Sequence, residues 1–242
     1  MRLAVVGDDR PEVNAAAEAH GFTLVKRDAD VILCHGGDGT LLRAERRYPL
    51  VPKIPVRLGR VSRPCPRHGL DNVLASLSSG ELSEERLMRL VLSVGRARFF
   101  ALNDVVLRNE NPALAVRFML SVDGADPIEH AGDGLVVATP FGSTGYYRSI
   151  TRSSFGEGLG LAFNNATRPT ASVVLAAGAQ IDVSVVRGPA VLVHDNDTRT
   201  LVLREGHGFG VRRAKDDAVL LGLDALRCQV CRRLDDQSFN PH

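Results

Sequence analysis

The sequence predicts an α/β amino-terminal domain with a parallel sheet over residues 1–95 and an all-β sandwich over 96–224. A carboxyl-terminal segment, 225–242, is left with the option of packing back on the first domain. Three observations predict this. Apolar strand-like runs alternate with helix signals up to about residue 90, and strand–helix–strand order implies a parallel sheet with right-handed crossovers. From about residue 96 the texture changes to short β-rich runs separated by turn residues, the pattern of a sandwich. The chain has 242 residues, 44% of them hydrophobic and 24% charged, ample for a core in each half.

The elements follow in order. Leu3–Val6 reads as the first strand. Asp9 stands where a helix N-cap belongs, with Pro11 in the first turn and Glu12 three residues on. Ala15, Ala16, Ala17 and Ala19 continue that helix, and Gly21 stops it. Phe22–Val25 and Val31–Cys34 are further strands, and Thr40 to Ala44 opens a second helix. Residues 49–69 hold five of the twelve prolines and read as an irregular loop. Leu70–Leu77 and Glu84–Leu92 look helical, the latter started by Ser83. The β runs of the second half are Arg98–Leu107, Leu114–Val122, Leu135–Ala138, Ser172–Leu175, Ile181–Val186, Ala190–Val193, Thr200–Leu203, Gly208–Val211 and Val219–Leu221. Turn signals such as Asp123-Gly124 and Arg187-Gly188-Pro189 separate them.

Composition excludes several classes. A net charge of +2 is too small to mark a nucleic-acid binder. Four cysteines make no disulfide framework in a chain of this size. Cys228 and Cys231 form one C-x-x-C, and a structural zinc site needs two more ligands, so free thiols and no resident metal are expected. Met1–Gly7 lacks the apolar core of a signal peptide, and no run approaches the ~20 residues of a membrane span. A cytoplasmic protein without membrane or nucleic-acid partners is expected.

Chemistry concentrates first in Cys34-His35-Gly36-Gly37-Asp38-Gly39-Thr40, directly after Val31-Ile32-Leu33. Glycines at the end of a strand let backbone N–H groups approach a ligand, and the helix that follows favours anions at its N-terminus. Asp38 is a lone acid in a turn suited to phosphate. It can accept a proton from an attacking hydroxyl or hold Mg²⁺; a helix-capping role is the bland alternative. The common phosphate loop is excluded, because it needs a Lys after its last glycine and the only lysines are Lys26, Lys53 and Lys215. A cationic stretch follows the turn: Arg43, Arg46, Arg47, Lys53, Arg57, Arg60, Arg63 and Arg67, opposed only by Glu45. It reads as a rim for phosphates or as solvated surface.

A second cluster lies downstream: Asn103-Asp104, then Gly132-Asp133-Gly134-Leu135 running into Thr139-Pro140-Phe141-Gly142-Ser143-Thr144-Gly145-Tyr146. With the glycine turn, these segments in this order resemble the NAD kinase family, whose motifs read roughly GGDGT, N-E and DGL-x-x-x-TP-x-GSTAY. The resemblance runs from about Val31 to about Leu223. GGDGT alone is shared with lipid kinases and phosphofructokinases, and the Thr-Pro-x-Gly-Ser-Thr block is the specific part. The resemblance implies a phosphofructokinase-like α/β domain. It also implies transfer of a phosphoryl group from ATP, or polyphosphate, to the 2′-hydroxyl of the adenosine ribose of NAD, with Mg²⁺. It implies Asp38 as the catalytic base and Gly36, Gly37, Gly39, Thr40, Asn103, Asp104, Asp133, Thr144, Gly145, Tyr146 and Ser149 as nucleotide-binding residues. The substrate then lies between the domains, and the protein assembles as a homodimer or homotetramer through the β domain.

Departures from the family pattern are local. Asp104 is one methylene shorter than the usual Glu, and Gly145 replaces Ala. The A-G-G-P turn after the Thr-Tyr block is absent, and the N-x-G-x-x-G-F segment is reduced to a glycine near 59. The D-G-Q near Asp195 reads Asp195-Asn196-Asp197. These changes keep two alternatives open: a catalytically weak nucleotide-binding sensor, or a kinase acting on another alcohol.

Overall fold

The structure is a computed structural model that describes residues 1–7, 11–56 and 69–223. Two compact units divide the chain. Of the described residues, one comprises those up to Leu87 together with Ala218–Leu223, the other Met88–Asp217.

The first unit contains β1 (Arg2–Gly7), α1 (Pro11–Ala19), β2 (Thr23–Leu24), β3 (Val31–His35), α2 (Asp38–Arg47), β4 (Lys53–Val56), α3 (Leu70–Ser79) and β5 (Glu84–Leu87). The last strand of the chain, β18 (Ala218–Leu221), joins them. The sheet order is β2-β1-β3-β4-β18-β5. Pairing is parallel as far as β18, while β5 runs antiparallel to β18 at the edge. The sheet is therefore mixed rather than wholly parallel.

Alternation along the strands decides which helix covers which face. Leu3, Val31, Leu33, Ile54 and Val56 pack with Val13 and Ala17 of α1 and Val73, Leu74 and Leu77 of α3. The opposite face, carrying Ile32 and Cys34, is left to α2, which contacts β1, β3 and β4. Covered on both sides, β3 is buried at all five positions, which is why it reads as an unbroken apolar run. Burial pushes the Cys34 thiol up to about 12, so this cysteine is inert. Cys65, Cys228 and Cys231 lie outside the described residues.

Several expectations fail here for identifiable reasons. Residues 49–69 are expected to be loop, yet Lys53–Val56 is β4 despite Pro55. The ladder to β3 uses the even positions, with Ile32 N–H donating to Pro52 O and Gly36 N–H to Val56 O. Pro55, which has no N–H, therefore faces the other side, where β18 pairs only at Lys53. Lys53 itself was placed on a cationic rim, but it is wholly buried and donates from Nζ to Glu45 Oε2 and, at 2.7 Å, to Tyr48 O. Replacing one partner of a buried pair removes the opposite charge that compensates the other. Lys53→Met is expected to cost about 3–5 kcal/mol of stability in denaturant titrations, and adding Glu45→Leu should recover most of it.

The second unit holds β6 (Leu90–Val94), β7 (Ala97–Ala101), β8 (Asp104–Asn109), β9 (Val116–Val122), β10 (Ile128–Gly132), β11 (Gly134–Ala138), α4 (Tyr146–Thr151), β12 (Leu159–Asn164), β13 (Val173–Leu175), β14 (Ile181–Arg187), β15 (Ala190–His194), β16 (Leu201–Leu203) and β17 (Gly208–Arg213). They form two six-stranded antiparallel sheets, ordered β10-β9-β14-β17-β6-β7 and β13-β12-β11-β8-β15-β16. Inward residues of both sheets share one core, among them Leu90, Leu92, Val105, Leu107, Phe118, Val137, Leu161, Ile181 and Val211.

The expected helix over Glu84–Leu92 is instead β5 and β6. Leu90 and Leu92 alternate into the sandwich core, and pairing with β7 and β17 overrides local helix propensity. The run Arg98–Leu107 is two strands broken at Leu102-Asn103. Val219–Leu221, read with the sandwich, belongs to the first unit's sheet. The strands Ile128–Gly132 and Leu159–Asn164 were not anticipated. The second sheet is apolar on both faces because α4 covers its outside: Val106, Val136, Ala138 and Ala162 pack with Tyr147, flanked by Tyr146, Ile150 and Phe155. Among the described residues no helix is long and apolar enough to cross a membrane.

Candidate functional site

In the first unit, β1 leads to α1 on one face of the sheet and β3 leads to α2 on the other. Crossovers that diverge in this way leave a crevice beyond the carboxyl ends of two adjacent strands, where α/β sheets bind ligands. Gly7 ends β1 and Gly36 directly follows β3, with φ +135° and +158°, values that L side chains rarely adopt. A Cβ at Gly7 would run into His35 O, and one at Gly36 into Thr40 Oγ1. Gly36 N–H is held by Val56 O at 2.8 Å.

Gly37 is the N-cap of α2 in extended conformation, and no side chain among the described residues caps the helix. Among the described residues, a Cβ at Gly37 would meet nothing within 4 Å. Asp38 and Gly39 follow in the first helical turn, both exposed, with Thr40 half-buried and its N–H bonded to Gly37 O. The leading N–H groups of a helix have no intrahelical acceptor, and here they belong to an exposed turn that also carries Asp38. The arrangement can cradle an anion and offer one carboxylate to whatever the anion reacts with. The capping alternative for Asp38 fails, because the residue lies inside the helix and not at its N-cap. Behind the turn His35 is buried, and its Nδ1 has no partner among the described residues.

A cavity of about 570 Å³ runs from Gly7 along the flank of α2, walled by Val5 and Leu24 and edged by Lys26, Arg43 and Arg47. Two arginines of the anticipated rim therefore do border an opening. Arg57, Arg60, Arg63 and Arg67, with the glycine near 59, lie outside the described residues.

In the second unit, Asp104 begins β8 directly after Asn103, level with the end of β11: Asp104 pairs with Ala138. Thr139 locks this corner. Its Oγ1 donates to Leu102 O at 2.6 Å and accepts Gly142 N–H at 3.0 Å, while its N–H donates to Asn103 O at 2.9 Å. Gly142 opens a single 3-10 turn, Gly142–Thr144, pressed onto the Asn103 backbone. Ser143 Oγ donates to Pro140 O at 2.7 Å and Phe155 N–H donates to Ser143 Oγ at 3.3 Å, tying the turn to the chain beyond α4. Thr144 and Gly145 are exposed at the entry to α4, and Ser149 Oγ bonds Tyr146 O within that helix. The structure thus brings Asn103, Asp104, Gly142 and Thr144 to one end of one sheet.

Asp133 is not with them. It precedes β11 at the other end, about five residues or roughly 17 Å along the strand. There it accepts Asn109 Nδ2 at 3.3 Å and Asn165 Nδ2 at 2.7 Å. Gly134, with φ +148°, has no room for a Cβ against Leu107 O, so the Gly-Asp-Gly turn is sterically fixed. Tyr146 spans the gap, lying on the outer face of the sheet with its phenol accepting Asn164 Nδ2 at 3.1 Å. Thr139 and Asp195 are site-forming residues that residue-type reasoning did not single out; the Thr-Pro block and the surviving Asp of D-G-Q were the available signals.

Asp104 is buried, and burial, with the neighbouring charge of Asp195, pushes its carboxyl up to about 7. Between pH ~4, where the unfolded side chain titrates, and ~7 the native state binds the extra proton. This residue's stabilising contribution is complete below that window and lost as pH rises through 7. Asp104→Asn should therefore gain stability on wild type with rising pH, by at most about 1.4 kcal/mol per unit, in denaturation curves at pH 4.5 and 7.5.

Comparison with known proteins gives the fold first. A crystal structure of an NAD kinase from Archaeoglobus fulgidus in complex with ATP superposes with TM-score 0.77 at 22% identity, covering 95% of this chain and 97% of that one. A yeast NADH kinase complexed with NADH gives 0.79 at 14% identity, covering 95% and 88%. The fold is that of these kinases. Among sequences, an NAD kinase of Methanopyrus kandleri is 35% identical over 126 residues and one of Saccharolobus islandicus 31% over 162. The matches span 50% and 63% of this chain but only 45% and 64% of those relatives. An NAD kinase of Gemmatimonas aurantiaca is 30% identical over 209 residues, 80% of this chain and 72% of that protein. The chain belongs to the NAD kinase family. No protein-family model matches it.

Proposed function

We propose that this protein is an NAD kinase that moves a phosphoryl group from ATP or polyphosphate to the 2′-hydroxyl of the adenosine ribose of NAD. The observation that carries the reading is the Gly36–Thr40 turn. It places an uncapped helix N-terminus and the exposed Asp38 at the carboxyl ends of β1 and β3, in an α/β unit that we read as phosphofructokinase-like. The donor phosphates lie on the N–H groups of the turn, and Arg43 and Arg47 at the adjoining cavity supply further positive charge. The donor's terminal phosphorus–oxygen bond breaks as the ribose oxygen bonds to phosphorus, the shortened phosphate chain leaves, and Asp38 takes the hydroxyl proton. A carboxylate is a weak base for an alcohol, but here the proton departs as the new bond forms.

Asp38 and the phosphate oxygens are the kind of donor set that Mg²⁺ takes, one carboxylate plus substrate phosphates. Asp38 and the donor phosphates would share the ion. When bound, it neutralises phosphate charge. Asn103, Asp104, Thr144, Gly145, Tyr146 and Ser149 hold the dinucleotide, and Asp133 contacts its nicotinamide end. The same reading carries a cytoplasmic homodimer or homotetramer built through the β unit. The exposed Val173 and Val174 of edge strand β13 are candidates for that contact.

The test is incubation of purified protein with NAD, Mg²⁺ and either ATP or polyphosphate, followed by an enzymatic assay for NADP. Formation of NADP with either donor supports the reading. Binding of NAD without NADP at any donor concentration replaces it with a nucleotide sensor.

A further inference from the structure

Between β7 and β8 the chain passes through Leu102 and Asn103, and three successive N–H groups converge on one side chain. Asp195 Oδ2 accepts from Leu102 at 2.6 Å; its Oδ1 accepts from Asn103 at 2.6 Å and from Asp104 at 3.4 Å. In return, Asp195 N–H donates to Asp104 O at 3.1 Å. Charge-assisted bonds of this length are among the strong ones. Asp195 is 1% exposed and follows directly on β15. It and Asn196 take left-handed backbone, φ 46° and 51°, a conformation that Asp and Asn tolerate better than other non-glycine residues.

Burying this carboxylate has an evident cost. It sits beside Asp104, itself buried, and two like charges near one another in low dielectric oppose folding. His194 and Asp197 are the other titratable groups on this turn, and Asp197 is engaged by Arg199 at 3.0 Å. A turn held at that cost points to a geometry worth holding. What it presents is Asn103, whose Oδ1 is buried with no partner among the described residues. A buried acceptor left unmade is expensive, and a ligand carrying a hydroxyl or amino donor would satisfy it.

We propose that Asp195 is a positioning residue for the acceptor nucleotide: through the backbone of Leu102–Asp104 it aims the Asn103 amide at a donor group of the bound dinucleotide. The inference rests on the kinase reading above and adds to it a residue that sets recognition rather than chemistry.

Asp195→Asn in the full chain tests it, because the substituted amide must turn an NH₂ toward N–H groups that need an acceptor. The KM for NAD should rise about tenfold while kcat falls less than about threefold. The titration of Asp104, followed by carboxyl NMR, should move to lower pH once the neighbouring charge is gone. Unchanged KM, or a loss confined to kcat, overturns the proposal, since a merely structural residue would lower the active fraction and leave KM alone. Should Asp195→Asn not fold, wild-type NMR decides. Addition of NAD should shift the Asn103 side-chain amide resonances, and Leu102 and Asn103 amide protons should be downfield and slow to exchange. An Asn103 amide unmoved by saturating NAD overturns the proposal. Wild type that shifts Asn103 on NAD addition yet forms no NADP sinks the kinase reading and leaves this one standing.

Discussion

Asp38→Asn lowers kcat by about 10²–10⁴-fold, the range expected when a positioned proton acceptor is lost, while the affinity for NAD measured calorimetrically changes less than about twofold. The split follows from where the residue stands. Asp38 occupies the first turn of α2 in the first unit, exposed beside the glycine turn, whereas the residues assigned to the dinucleotide belong to the second unit, on or beside β8, the 3-10 turn and α4, with Asp133 ahead of β11. Asn is nearly isosteric and stays neutral, so the fold and the N–H groups of the turn persist; what goes is the base and one negative ligand. Equal losses in kcat and in NAD affinity would make Asp38 a binding residue instead.

Gly142→Ala is the second large effect. A Cβ there would lie 2.6 Å from Asn103 Cα and closer still to its carbonyl. The obstruction is backbone fixed by Thr139 and Asp195, which has no rotamer to give. We expect a loss of about 3 kcal/mol of stability, at the upper end of ordinary overpacking, and at least a roughly tenfold loss of NAD affinity as Asn103 is displaced. Gly145→Ala is the control. At Gly145 φ is −95°, and the nearest obstacle is Gly142 O at 3.3 Å, so the methyl fits with a small adjustment. Its NAD affinity should stay within about threefold of wild type, which accords with the alanine that the family pattern carries there. If both substitutions behave alike, the 3-10 turn does not shape the acceptor pocket.

Much of the architecture was legible because the residues that form it also carry local signals. Val31–Leu33 is apolar at every position because helices cover both faces of β3, and Gly36 is glycine because Thr40 closes the turn. Ala15–Ala19 and Gly21 delimit α1 by propensity alone. What escaped detection was set by tertiary pairing. Pro55 looked like a strand breaker, and only the one-sided ladder of β4 shows why it is tolerated. Leu90 and Leu92 carried a helix-like pattern until two neighbouring strands claimed them. Lys53 gave no sign in sequence that it would be buried against Glu45. The glycine turn was readable as chemistry without any fold. The corner at Asn103 was not, because its shape depends on Asp195, more than ninety residues away.

The measurement that bears most directly on the central claim is a rapid-quench single turnover with NAD and ATP radiolabelled at its γ-phosphate, run on wild type and on Asp38→Asn, with the product phosphate located by phosphorus NMR. Label is expected on the 2′-oxygen of the adenosine ribose in wild type, with the transfer step slowed by about 10²-fold or more in the variant. Label at another position, or a transfer step of equal rate in the two proteins, would contradict it.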